Sequence, residues 1–547
     1  MLNYESLREG FPFPEIRPVQ EEGLQKIAKT LQEGKRFTVL EMPVGAGKSP
    51  LAIAVGRAAS QVSEGVYQPG AHITTTQIIL QQQYMRDFES FGLREIKGKS
   101  NYMCCSYDGG GVVDCGTSQA LHTEEEQCTS CTYKLAREAY LDSPLGITNF
   151  AYFTTIRKTG REEIMPSRMF LVVDEAHNVE SALIGFGEVS ITESRISLLD
   201  LDRVMVLDTK DTYEAKLLKA RDWVGGVVLP AAKSKAREFL AQAKKSSSRE
   251  SAVKLVKMSE GLGQFVSKIQ TFLESGPDEP WVVYNQVSPH GITESLILKP
   301  LYANRLAEKH LFSAGRYVLM MSGTILGPRV FAKNLGIAIE DLGFKRFDSD
   351  FPVESRLVHF EPVGSMSFKN IDQTLPKMAA AVVNVARRYP TSKGIVHTNS
   401  YKVTKAIVEA LNKAGMSQRV LSHSQEKGSR DQAVARHINT PEPTILVSPS
   451  MTEGLDLVGD LGRWQIITKT PYPSLGDEWI KTRLSLDQEW YQLQTSLTVI
   501  QASGRCVRSR EDHADTFIFD SDFGKLLNQA GHLFPGWWKQ ALVGVEA

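Results

Sequence analysis

Three short segments of this 547-residue chain hold residue types at spacings that could bind and break a nucleoside triphosphate. The first is Met42-Pro43-Val44-Gly45-Ala46-Gly47-Lys48-Ser49, directly after the apolar run at residues 37–40. Glycines let the backbone curl until successive N–H groups point at phosphate oxygens. Lys48 can then reach the β- and γ-phosphates, and the Ser49 hydroxyl can ligate Mg²⁺. The full phosphate-loop pattern asks for glycine where Met42 stands, but the shorter core Gly45-Ala46-Gly47-Lys48-Ser49 is intact. Pro50 follows in the first helical turn, where a missing N–H is tolerated.

The second segment, Asp174-Glu175-Ala176-His177, closes the apolar run at 169–173. A carboxylate at the end of such a strand, Asp174, could hold Mg²⁺ opposite Ser49, while Glu175 could orient or deprotonate the attacking water. Acidic residues favoured by a helix dipole would be the plainer explanation for this segment alone. Two such elements in one chain, each after a strand, favour an ATPase. The third segment is Gln501-Ala502-Ser503-Gly504-Arg505-Cys506-Val507-Arg508. Its i, i+3 spacing puts Arg505 and Arg508 on one helix face. There they could clamp a γ-phosphate, although a surface ion pair would account for either arginine alone.

Cysteines suggest a second chemistry. Five of the six, Cys104, Cys105, Cys115, Cys128 and Cys131, crowd into a 28-residue window, and Cys506 stands apart. A secreted disulfide framework would spread its cysteines along a short chain, so the crowding reads as a metal or cluster site. Four thiolates suit Zn²⁺ or an iron–sulfur cluster, and spacing does not decide between them.

Elements must position these groups. Short β-branched runs alternate with helical patterns, which predicts parallel sheets with helical crossovers. Strands are expected at 37–40, 71–74, 145–148, 169–173 and 318–321, and in a second series at 394–397, 444–447, 464–468 and 516–519. The simplest reading is two α/β domains. Two stretches fit neither series: the cysteine window from about 98 to 140, and a largely helical stretch from about 190 to 300 with a loop at 244–251. Between Lys210 and Lys257 that stretch carries twelve Lys/Arg against five Asp/Glu. Solvated helix faces would explain the excess, as would a phosphate-facing wall.

Composition sets the bounds. Lys+Arg and Asp+Glu both total 63, so a polyanion must be gripped by local patches or backbone amides rather than by overall basicity. No apolar run approaches the roughly 18–20 residues of a membrane span. The start has no charged region followed by an apolar one, so secretion is not expected and the cytoplasm is the expected compartment.

Taken together, these segments resemble the iron–sulfur superfamily 2 DNA helicases of the XPD/Rad3 and DinG group along nearly the whole chain. FPFPEIRPVQ (11–20) resembles the adenine-side motif, with Arg17 and Gln20 at its matching positions. MPVGAGKS resembles motif I, AHITTTQ (71–77) motif Ia, DEAH motif II and Ser322-Gly323-Thr324 motif III. SDFPVESR (349–356) is similar to the segment opening the second motor domain, and LFPGWW to the group's C-terminal segment. GIVHTNSY (394–401) resembles motif IV, TEGLDLVGD (452–460) motif V, with Asp456 at the nucleotide, and QASGRCVR motif VI, with Gln501, Arg505 and Arg508 as catalytic residues.

The resemblance implies two RecA-like motor domains with a small iron–sulfur insert and a helical Arch insert in the first. The implied boundaries are 1–97, 141–189 and 301–335 for the first motor domain, 98–140 for the cluster domain, 190–300 for the Arch and 336–547 for the second motor domain. It implies a four-iron four-sulfur cluster on Cys104, Cys115, Cys128 and Cys131, with Cys105 the alternative first ligand. ATP and Mg²⁺ would sit at the seam of the motor domains, held by Arg17, Gln20 and residues 45–49, with Ser49 and Asp174 on the metal. The expected activity is ATP-driven translocation on single-stranded DNA and opening of forked DNA, 5′→3′, by a monomer active in DNA repair, with no membrane partner. A translocase that does not unwind, and a zinc-site nucleic-acid-binding protein, are the rival readings. Tyr102, Tyr152 and Phe153 are candidate base-stacking residues.

Overall fold

The computed structural model describes residues 2–544 apart from 44, 77, 105–130, 162, 277–278, 289, 451–456, 458, 505 and 508–509. It divides into two compact units. One comprises Met1–Leu40, Gly47–Ser322 and Phe331–Lys345; the other comprises Glu41–Ala46, Gly323–Val330 and Arg346–Ala547.

All nine expected strands form, each within a residue or a few of its predicted span. The first seven-stranded sheet runs, in spatial order, Leu342–Arg346, Phe37–Glu41, Gly315–Ser322, Arg168–Asp174, Gln68–Thr75, Leu145–Asn149 and Arg94–Glu95. Gln68–Thr75 pairs in parallel with both Leu145–Asn149 and Arg168–Asp174, and the latter pairs in parallel with Gly315–Ser322, Asp174 opposite Met321. Parallel strands covered on both faces must be apolar throughout. Phe37–Glu41 and Arg168–Asp174 are accordingly buried at every position.

The second sheet orders Val420–Ser422, Ile445–Ser448, Gly394–His397, Trp464–Ile467, Asp515–Asp520, Val358–Gly364 and Leu542–Val543, and all six of its junctions are parallel. Its core is built on Val382, Val396, Trp464, Ile466, Phe517 and Phe519.

The 190–300 stretch holds the helices Tyr213–Trp223, Leu229–Lys245 and Arg249–Glu274, and the expected loop falls between the last two. It is less helical than the sequence suggests. Val189–Thr192, Trp281–Val287 and Thr293–Pro300 form a three-stranded antiparallel sheet. Helices and sheet share one core around Phe239, Phe265, Phe272, Trp281 and Leu298. No helix among the described residues is long and apolar enough to cross a membrane.

Candidate active site

The segment between Phe37–Glu41 and the helix Ser49–Ala58 bends as a phosphate loop must. Gly45 and Gly47 both sit at φ 78°, in the left-handed region, and the Ala46 N–H donates to the Pro43 carbonyl at 3.2 Å. Pro50 lies in the first turn of the helix. A Cβ at residue 47 would lie 2.0 Å from Arg17 Nη2 and 2.3 Å from Gln20 Nε2 and would have to push both tips aside, on a backbone whose φ of 78° already favours glycine. Gln20 Nε2 donates to the Gly47 carbonyl at 3.1 Å, and Gln20 Oε1 accepts from the Arg17 N–H at 3.0 Å. The first motif therefore braces the loop directly.

Asp174 is 3% exposed, at the carboxyl end of its strand. Burial, then the charge of Glu175, pushes its carboxyl above the usual range; the Lys48 charge, a hydrogen bond from Tyr84 and the Glu175 N–H oppose this. The Tyr84 hydroxyl donates to Oδ2 at 2.8 Å, and the Glu175 N–H donates to Oδ1 at 2.9 Å. Lys48 and Asp174 thus meet across the intervening strand Gly315–Ser322, as a metal–phosphate site requires. Ser49 stands close enough to the same Tyr84 hydroxyl to bear on it electrostatically. A hydroxyl and a carboxylate are the hard oxygen donors that suit Mg²⁺.

Glu175 has φ 52°, a left-handed conformation that costs a non-glycine residue of order 1–3 kcal/mol. Its Oε2 lies 3.3 Å from His177 Nδ1, which also pairs with the Ser322 hydroxyl at 2.7 Å. DEAH and the third motif are therefore joined through one imidazole. In the second unit, Gln501 Nε2 donates to the Thr324 hydroxyl at 3.2 Å.

Sequence reasoning missed two groups. One is Tyr84. The other is Glu41, 2% exposed at the head of the phosphate loop, which accepts from Arg346 Nε at 2.8 Å and from the Leu326 N–H at 3.3 Å. Their partners lie 90 and 305 residues away, so no local pattern announces them.

Of the remaining candidates, Cys131 is buried and precedes the helix Thr132–Asp142, whose Thr132 hydroxyl donates to the Met103 carbonyl at 3.1 Å. That bond brings the chain at Cys104 beside Cys131. Cys105, Cys115, Cys128, Asp456, Arg505 and Arg508 lie outside the described residues. Among the described residues no three His, Cys, Asp or Glu side chains cluster as a metal centre. The aromatic candidates are corrected in part. Phe153 is fully buried against His72 and cannot stack on a base, while the Tyr152 and Tyr133 hydroxyls bond each other at 2.9 Å. Within the basic stretch, Lys219 pairs with Asp211, and Lys235 with Asp200 and Glu238.

Comparison with known proteins agrees with this geometry. Residues 382–541 match the helicase C-terminal domain family, and residues 13–194 match the type III restriction enzyme res-subunit family. The regulator of telomere elongation helicase 1 of Rattus norvegicus is 30% identical over 196 residues, 30% of this chain and 15% of that protein. Its homolog in Drosophila willistoni is 24% identical over 251 residues, 40% of this chain. The match spans a quarter of the Drosophila protein's length. Among solved structures, an XPD helicase superposes with a TM-score of 0.62 at 15% identity, over 97% of this chain and 98% of that one. The S. tokodaii Xpd4 structure gives 0.55 at 15% identity, over 96% and 99%. The chain thus has the fold of the XPD structures, two RecA-like parallel-sheet domains, and its second unit carries a match to the helicase C-terminal domain family.

Proposed function

We propose that this chain is an ATP-dependent DNA helicase that moves 5′→3′ on single-stranded DNA. The observation that carries the ATPase part is a phosphate loop with Gly45 and Gly47 at φ 78° and, in the same sheet, the buried Asp174 carboxylate with Lys48, Ser49 and Glu175 about it. Gly45, Ala46, Gly47 and Lys48 would hold the phosphates, with Arg17 and Gln20 on the adenine side. Ser49 and Asp174 would hold Mg²⁺, which would supply neutralisation of the phosphate charge. Glu175, held in a strained conformation beside His177, accepts a proton from, or orients, the attacking water. Arg505 and Arg508 would stabilise charge on the γ-phosphate, a contribution worth about 10³–10⁵ in comparable enzymes. Asp456 and Gln501 complete the nucleotide-sensing set.

The DNA substrate, forked or single-stranded, and the polarity rest on the family resemblance. Two inserts support the same reading. Residues 98–140 would hold a four-iron four-sulfur cluster on Cys104, Cys115, Cys128 and Cys131, and residues 190–300 form the Arch. DNA would be held through its phosphates and by base stacking worth about 1–3 kcal/mol per base, with little sequence preference.

The test is Lys48→Ala. Single-strand-stimulated ATP hydrolysis should fall to background while DNA binding, measured by fluorescence anisotropy, persists; undiminished turnover would remove the reading. Forks with only a 5′ or only a 3′ tail decide polarity, and turnover without strand displacement would mean a translocase. A brown chromophore with about four irons per chain is expected from anaerobic protein; a colourless zinc protein would overturn the cluster.

A further inference from the structure

We propose that Tyr84 is a positioning residue for the metal–nucleotide site, holding the Asp174 carboxylate in place through its phenol. The proposal rests on the ATPase reading and deepens it.

Tyr84 lies on the helix Ile78–Phe88, immediately after AHITTTQ, and is 2% exposed. A phenol buried so deeply needs hydrogen-bond partners. Its partner is a residue assigned to Mg²⁺: the hydroxyl donates to Asp174 Oδ2 at 2.8 Å, with Ser49, the other assigned ligand, nearby. The Tyr84 ring packs on Phe88, 5.8 Å away centroid to centroid, and Phe88 in turn packs on Phe91 and Phe13, so the ring has an apolar contact that does not depend on its hydroxyl.

The arrangement has a physical purpose. A metal-holding carboxylate must present its oxygens in one fixed orientation. The Tyr84 O–H, 2.8 Å from Oδ2, and the Glu175 N–H, 2.9 Å from Oδ1, fix the two oxygens of Asp174. Groups that orient a metal's ligands typically change metal affinity by about 10–100-fold when removed. Phenylalanine fills the same volume and deletes only the O–H, which separates packing from orientation.

The experiment compares the full-length wild type, Tyr84→Phe and Lys48→Ala by titrating Mg²⁺ into protein with a fluorescent ATP analogue and by following Mn²⁺ uptake with electron paramagnetic resonance. Tyr84→Phe should need roughly tenfold more Mg²⁺ to reach half-saturation, with unchanged melting temperature and unchanged metal-free nucleotide affinity. Its turnover should return toward the wild-type value at high Mg²⁺. A wild-type Mg²⁺ half-point in Tyr84→Phe, alongside lost nucleotide binding in Lys48→Ala, would overturn the positioning role and leave the ATPase reading standing. Absence of nucleotide binding in the wild type would overturn both. Should Tyr84→Phe melt early, the same Mg²⁺ titration below its transition decides: an unshifted half-point refutes the role.

Discussion

Asp174 and Asp520 are the same residue at the same place in their respective sheets, the last position of a buried parallel strand, yet they live differently. Asp520 accepts three backbone N–H groups, from Met366 and Asp522 on Oδ1 and from Thr470 on Oδ2, at 2.8–3.1 Å. Asp174 accepts one backbone N–H, that of its own neighbour, and one phenol, and has a lysine and a second carboxylate beside it. Burial raises both carboxyls. Three amides are a finished structural joint. A carboxylate with few donors, beside a lysine and a hydroxyl, suits a metal and a phosphate. The partners, rather than the residue or its burial, separate a fold-holding group from a chemical one.

The largest contrast should come from asparagine at each position. Asp174→Asn should reduce ATP turnover to background while the protein melts at or above the wild-type temperature, since a buried carboxylate crowded by a second one has been replaced by a neutral group. Asp520→Asn turns an acceptor into a donor facing backbone N–H groups. It should cost about 1–3 kcal/mol of stability in urea melts and leave turnover per folded molecule intact. Equal destabilisation by both would break the comparison.

Histidines extend it to pH. His310 in the first unit and His437 in the second are both buried, and desolvation lowers each to about 4. Between about 4 and the ordinary value of 6.5 the unfolded chain binds more protons than the folded one. Stability is therefore intact above pH 6.5 and is lost as pH falls toward 4, by up to about 3 kcal/mol for each histidine. Melting temperatures across that range should fall with acid, and a flat profile would contradict both assignments.

The smallest effect separates the two histidines. His437 Nδ1 accepts from the Thr444 hydroxyl at 2.8 Å and Nε2 donates to the Leu461 carbonyl at 2.8 Å, whereas neither His310 nitrogen has a hydrogen-bond partner among the described residues. His437→Leu should cost about 1–3 kcal/mol, and His310→Leu should be close to neutral or stabilising. Urea midpoints of the two variants measure the difference.

Much of the fold and of the site is legible in the order of the amino acids. The β-branched runs locate nine strands, because a strand buried on both faces cannot avoid an apolar signature. Gly45-Ala46-Gly47-Lys48-Ser49 and Asp174-Glu175 are legible for the same kind of reason, as their chemistry is local. The edge strands Arg94–Glu95 and Leu542–Val543 are not, being two residues long. VHFEPVG is polar enough at His359 and Glu361, and broken enough at Pro362, to hide the strand Val358–Gly364. Helical periodicity between 213 and 274 masks the antiparallel sheet at either side of it. Tyr84 and Glu41 are invisible in the sequence because their meaning resides in contacts that only folding creates.

The crowding at Gly47 has an evolutionary corollary. Arg17 and Gln20 occupy the volume that any side chain at 47 would need, within 2.0 and 2.3 Å of its first carbon. A replacement of the glycine would have to push both side-chain tips aside and accept a strained left-handed backbone, so homologues should keep glycine at 47 whatever stands at 17 and 20.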